Sequence, residues 1–145
     1  LVRYVLHNDD EHDHEVGFRF VLDTLIGGND GTPFTVPGSA KLVSTSEDFD
    51  PARNKKPIPD FVQALEFENL QEPGTIAQAN FRVGAAIEPP SRVSLTQWPG
   101  FAALKRYDIT VRDFGRDSAL VMYWRPRQLA PGQSRQIRAE QNGGT

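Results

Sequence analysis

From His14 to Asp23 the chain alternates side-chain character. Phe18, Phe20 and Leu22 fall on one face, and Arg19, Val21 and Asp23 fall on the other. A period of two is the signature of an extended strand, and the Phe18–Leu22 row predicts the side turned toward a core. Ser118–Trp124 (SALVMYW) repeats the pattern more strongly, with Leu120, Met122 and Trp124 sharing one face and Ala119, Val121 and Tyr123 the other. Weaker alternation predicts strands at 1–7, 41–46, 75–83, 92–98, 107–111 and 134–139. In the first of these Val2, Tyr4 and Leu6 oppose Arg3 and Val5; it is expected to form an antiparallel hairpin with 14–23 around the acidic tip Asn8–Asp13. In 75–83 the apolar row is Ala77, Ala79, Phe81 and Val83. Phe61–Phe67 fits two templates: Phe61, Ala64, Leu65 and Glu68 for a helical turn, or Phe61, Gln63, Leu65 and Phe67 for a strand.

Between these segments lie Gly27–Gly31, the proline-rich and basic stretch 51–60, Pro73-Gly74, Glu88-Pro89-Pro90, Pro99-Gly100 and Leu129–Gln133. Such clusters break regular structure, and Gly27–Gly31 lets the chain turn sharply or wrap something. The last residues, Asn142–Thr145, read as a frayed tail. About eight or nine short strands with no long helical period predict an all-β fold. The expected form is an antiparallel β-sandwich, immunoglobulin-like or related. The uneven loop at 49–60 favours two open sheets over a closed barrel.

The chain of 145 residues is expected to form one domain across 1–145, and its start at Leu1 points to a piece of a longer protein. The absence of cysteine excludes disulfides, thiolate metal sites and cysteine nucleophiles. A net charge of −3 argues against a nucleic-acid binder. No apolar run approaches the roughly 20 residues of a membrane-spanning helix, so membrane insertion by this segment is not expected. Charge is nevertheless polarised: residues 1–30 hold two arginines against seven carboxylates, and residues 105–145 hold eight basic against four acidic groups. These mark mutually attracting ends or two differently charged faces.

Three corners could carry chemistry. His7, His12 and His14 are the chain's three histidines, and with Asp9, Asp10 or Asp13 they offer a ligand set for Zn²⁺, Ni²⁺ or Cu²⁺; the plain alternative is a hydrophilic loop tip. Asp23, Asn29 and Asp30 offer hard oxygens beside glycines, as Ca²⁺ prefers. Their spacing is not that of an EF-hand, and a tight turn capped by its own side chains explains them equally. Trp98, Phe101 and Tyr107, with Tyr123 and Trp124, could stack on a sugar ring or plug a core. Arg19 and Asp23, four residues apart, are expected to pair or to bond backbone. There is no Gly-x-Ser-x-Gly elbow and no phosphate-cradling loop, so no enzyme is expected.

His14–Arg19 and Leu22–Thr24 with Gly28–Phe34 resemble a segment of uncharacterised β-sandwich modules in large bacterial envelope proteins. Asp117–Trp124 and Leu129–Ser134 resemble later strands of the same modules, and the Leu-Ala-Pro-Gly turn is also similar to that of bacterial immunoglobulin-like adhesion domains. Those modules commonly close on a tyrosine- and glycine-rich strand, where this chain has Glu140–Gly144. The resemblance brings no activity and no catalytic residue. It implies an extracytoplasmic, noncatalytic structural or adhesive module contacting neighbouring protein. The alternative expectation is a carbohydrate-binding module, its loop shaped by calcium near Asp23–Asp30 and its partner a polysaccharide.

Overall fold

The computed structural model describes residues 2–82, 84 and 87–144, the last seven by their backbone alone. It is an all-β antiparallel sandwich. The described strands are β1 (Val2–His7), β2 (His14–Asp23), β3 (Phe34–Thr35), β4 (Glu47–Phe49), β5 (Phe61–Leu65), β6 (Ile76–Asn80), β7 (Arg92–Gln97), β8 (Ser118–Leu129) and β9 (Ser134–Gly144); one helical turn, α1 (Gly100–Ala103), follows β7. One sheet runs β1-β9-β6-β5-β3 and the other β2-β8-β7-β4.

The first strand thus pairs with the last, and the second with the one before it. The expected β1–β2 hairpin does not form: β1 pairs β9 and β2 pairs β8, in opposite sheets. The six-residue tip 8–13 carries the chain from one layer to the other, and Tyr4 packs its ring 5.0 Å from Phe18 and 5.9 Å from Phe20 across the interior. Asn8 is buried in this crossing, its amide donating to His12 O and Leu129 O.

The two rows read from sequence lie side by side on the inner face of one sheet, where β2 pairs β8. Leu120, Met122 and Trp124 belong to one buried cluster with Phe34, Val62, Ala79, Phe81, Val93, Leu95 and Ile137, and Phe18, Phe20 and Leu22 pack against it. Ala77 and Phe81 turn inward as expected; Val83 lies outside the described residues.

Several expectations need correction. The strand at 61–65 buries Val62 and Ala64, and from the opposite row Leu65 as well, while Phe67 is exposed. Its outer face instead carries a polar ladder: Thr35 donates to Gln63, Gln63 to Gln78 and Gln78 to Asn80. Residues 41–46 form no strand; Val43 alone bridges Phe34. The expected strand at 107–111 lies across a sheet face, with the Ile109 amide donating to the Tyr123 hydroxyl instead of joining a ladder. β8 runs on through Pro126 to Leu129, because a bulge between Val16 and Phe18 removes the need for a proline N–H. Gly17 is required there, since a Cβ would lie 2.8 Å from Pro126 Cγ. The tail is not frayed through Gly144: β9 switches partner from β1 to β6 after Ala139 and stays paired. Thr145 lies outside the described residues.

One end of the sandwich is fixed by a buried arginine. Arg135 donates to both oxygens of Glu88 (2.7 and 3.1 Å) and to Val16 O, tying β9 to β2 through the segment after β6. Trp124 Nε1 donates to the Glu88 carbonyl at 2.9 Å.

Phe34, fully buried and edge-on to Phe114, should be among the least replaceable side chains. Phe34→Ala is expected to cost about 3–5 kcal/mol in urea unfolding. Phe101→Ala, at a residue 83% exposed, should stay within about 0.5 kcal/mol.

Candidate functional site

β8 is buried on both faces from Ser118 to Trp124. Its outward row, Ala119, Val121 and Tyr123, is roofed by the excursion 98–113, whose Ile109 packs with Val121, Tyr123 and Val21 in a second, smaller core. The roof is pinned by backbone. Gln97 N donates to Arg112 O and Trp98 N to Asp117 O, each at 3.0 Å, while Arg112 N donates to Thr96 Oγ1 at 2.8 Å. Arg19, on β2, does not pair with Asp23; its guanidinium donates to the carbonyls of Leu104 and Arg106, as one of its two expected roles required.

Beneath the roof the sheet carries charge. Arg92, 7% exposed, donates to Asp48 (2.8 Å) and Asp108 (2.6 Å) and lies 4.7 Å from the Tyr123 ring centre. Burial alone would lower the arginine pKa, but the bonds to Asp48 and Asp108 carry it above its ordinary value. Ser94 donates to the same Asp48 oxygen, and Arg53 takes the second oxygen of Asp108 at 3.0 Å. Burial works to raise the Asp108 carboxyl, and the two guanidiniums outweigh it and lower it. Asp50, 1% exposed, accepts from the amides of Ala52 and Arg53 and from Arg125 through one oxygen. Its other oxygen has no hydrogen-bond donor among the described residues. Burial pushes this carboxyl up, and those donors hold it below its usual value.

A cavity of about 140 Å³ opens between α1 and the returning chain, lined by Trp98, Gln97, Arg106, Asp108, Thr110 and Arg112 among others. The three aromatics expected to form a platform are not brought together. Trp98 lines this cavity, Phe101 projects from α1, and Tyr107 lies edge-on to Tyr123 while its hydroxyl donates to Trp124 O. Tyr107 is nevertheless 38% exposed. Trp124 and Tyr123 are buried, which removes them from any surface platform.

The acidic loop assembles differently from the sequence reading. Asp23 and Asp30 do converge, but the third member is Asp117, with carboxylate oxygens of all three within 4.8 Å of one another. Asn29 is not part of the group: its amide donates to Glu66 O at 2.7 Å, and its oxygen accepts from Gly31 N at 3.0 Å. Gly31 allows the approach, because a Cβ would come within 2.6 Å of Gly115 O. Below the carboxylates, Thr24, Thr32 and Ser118 share buried hydroxyl bonds, and Ser118 N donates to Asp30 O at 2.7 Å. Burial first, then the charges of Asp30 and Asp23, raise the Asp117 carboxyl above its usual value. Three carboxylates suit Ca²⁺ in kind, and supply three of the six to eight oxygens it takes.

The histidines do not share one point. His14 and His12 flank Asp10 at 2.8 and 3.5 Å, whereas His7 bonds Ser134 and faces Asp9. Among the described residues they form no cluster with metal-ligand spacing. His14, the Glu11 amide and His12 lower the Asp10 carboxyl.

Compared with protein-family models, curated proteins and solved structures, the chain finds no match.

Two outcomes are expected. Asp50 and Asp108 have lowered folded pKa values, so their stabilisation is present above the usual carboxylate range and is lost as pH falls through it. The melting temperature should therefore drop below about pH 4, and Asp50→Asn should flatten that limb of a thermal-melt series. For Asp117 the sign is opposite: ionising a carboxyl whose folded pKa is raised weakens the fold as pH rises. Asp117→Asn should raise the calcium-free melting temperature at pH 7. A calcium site here requires that millimolar Ca²⁺ raise the melting temperature of the wild type and not the variant's; a wild-type melt indifferent to Ca²⁺ and EDTA contradicts it.

Proposed function

We propose that this chain is a noncatalytic β-sandwich module, of an immunoglobulin-like or related kind, that contacts neighbouring protein in a bacterial envelope or extracellular assembly. One observation carries the reading: the two ends of the sheets are unequal. At one side the edge strands are β3 and β4, with two and three residues. At the other they are β1 and β2, with six and ten, and among the described residues no segment pairs with their outer edges. Proteins that stay alone shorten, charge, bulge or cover their edges; β3 and β4 are short and β2 carries Glu15, Arg19, Asp23 and a bulge, which leaves the six-residue β1, with Arg3 alone charged, as the least protected edge. Val2 and Val5 are exposed along β1, and an extended partner segment adds to such an edge through its main chain. The internal ion pairs favour the same reading, because Arg92, Asp48, Asp108, Asp50 and Arg125 are spent on one another.

A photo-crosslinking residue placed at Val5 should capture protein in cells that make the chain, while the same residue at Ser39, on the opposite side, should not. A Val5→Lys substitution, which places a charge at the edge, should weaken contacts captured from a neighbouring position. Equal capture from both sides, or none from Val5, contradicts the reading.

A second reading, carbohydrate binding, is favoured by the cavity beside Trp98. A half-buried indole, an amide and a hydroxyl converge there on a concave surface, the combination that sugars engage.

A further inference from the structure

We propose that the Trp98 cavity takes an acidic sugar, its carboxylate held by Arg106 and Arg112 and its ring against the indole. This rests on the carbohydrate reading and names the class of sugar.

Charge bookkeeping around the roof points this way. Arg92 and Arg53 are each matched to carboxylates within 3.6 Å. Arg106 and Arg112 line the cavity, and their guanidiniums have no hydrogen-bond or ion-pair partner among the described residues. Asp108 is the carboxylate in the lining, and both its oxygens are already committed to Arg92 and Arg53. The cavity is thus left with two exposed guanidiniums that no carboxylate among the described residues pairs. A guanidinium presents a planar fork that fits a carboxylate through two parallel bonds, so less rotamer entropy is lost per hydrogen bond formed than with a lysine.

The backbone here is fixed. Arg112 is bonded at both its amide and its carbonyl to Thr96 and Gln97 of β7. Arg106 donates its amide to Ala103 O, and its carbonyl accepts from Arg19. Pre-organisation of this kind reduces the entropy lost on binding.

Size limits the occupant. At about 140 Å³ the cavity is well under the roughly 300–1,000 Å³ that encloses a drug-sized ligand. It holds one small group, such as the carboxylate-bearing edge of a single sugar unit, with the rest of a chain lying outside. A free inorganic oxyanion would use the arginines and leave Trp98 idle, whereas a neutral sugar would use Trp98 and leave the arginines unpaired. An acidic sugar uses both.

Isothermal titration of the intact protein with trigalacturonate, with the same trisaccharide after reduction of its carboxyl groups, and with inorganic phosphate separates these cases. Trigalacturonate should bind at least about tenfold more tightly than either of the others. Arg106→Gln and Arg112→Gln should each remove that preference without moving the melting temperature, since both side chains are exposed. Equal binding of the neutral trisaccharide, unaffected by the two substitutions, overturns the acidic-sugar inference and leaves the carbohydrate reading standing. Phosphate binding as tightly as trigalacturonate overturns the assignment to a sugar. Binding of neither trisaccharide overturns both.

Discussion

A strand that is apolar on both faces must be covered on both, and β8 is such a strand. One face meets the opposing sheet through Leu120, Met122 and Trp124. The other presents Val121 and Tyr123 to what would otherwise be solvent. Leaving side chains of that size wet costs about 1.5–3 kcal/mol each, so the fold spends its excursion 98–113 as a third layer. That requirement explains why the chain leaves β7, makes one helical turn and returns across the sheet before starting β8.

Covering a sheet with loop brings backbone polar groups and charges into partly dry surroundings, where each needs a partner. Most of the roof is paired in this way: Arg19 donates to two carbonyls, though its Nε has no acceptor among the described residues, Thr96 binds Arg112 at two points, and the Tyr123 hydroxyl accepts the Ile109 amide. Arg92 lies at the base with two carboxylates and an aromatic face around it. Where the roof arches away from the sheet it leaves the Trp98 cavity, where Arg106 and Arg112 have no side-chain partner among the described residues. The same layer produces the stability of the sheet and the concavity that could serve binding.

Much of the architecture was legible from alternation alone. The rows Phe18–Leu22 and Leu120–Trp124 are long, regular and apolar, and they lie where period two puts them. Pairing was not legible: β1 and β2 look like a hairpin because they are neighbours in sequence, whereas the Asn8 amide and the Tyr4–Phe18 contact, both tertiary, send them to opposite sheets. In 61–67 alternation could not settle the face: Val62 and Ala64 turn into the core beside Phe34, while of the row Phe61, Gln63, Leu65 and Phe67 only Leu65 is buried. For the sites, sequence adjacency was the only available guide. It placed Asp23 with Asp30 but supplied Asn29 where the fold supplies Asp117, some 87 residues further along the chain than Asp30. The unpaired Arg106 and Arg112 carry no local motif, so only their three-dimensional setting marks them. The histidine cluster shows the converse, with residues close in sequence that diverge in space.

The central claim is that the excursion 98–113 is an integral layer and not a surface loop. Native-state amide hydrogen exchange tests it residue by residue, because opening free energies run from near zero for mobile loops up to the global value for the core. The amides of Ile109 and Arg112, bonded to Tyr123 and Thr96, should exchange with nearly the same opening free energy as those of Val121 and Tyr123 in β8. Exchange of the roof amides at rates close to those of an unstructured peptide, while β8 stays protected, would contradict the account.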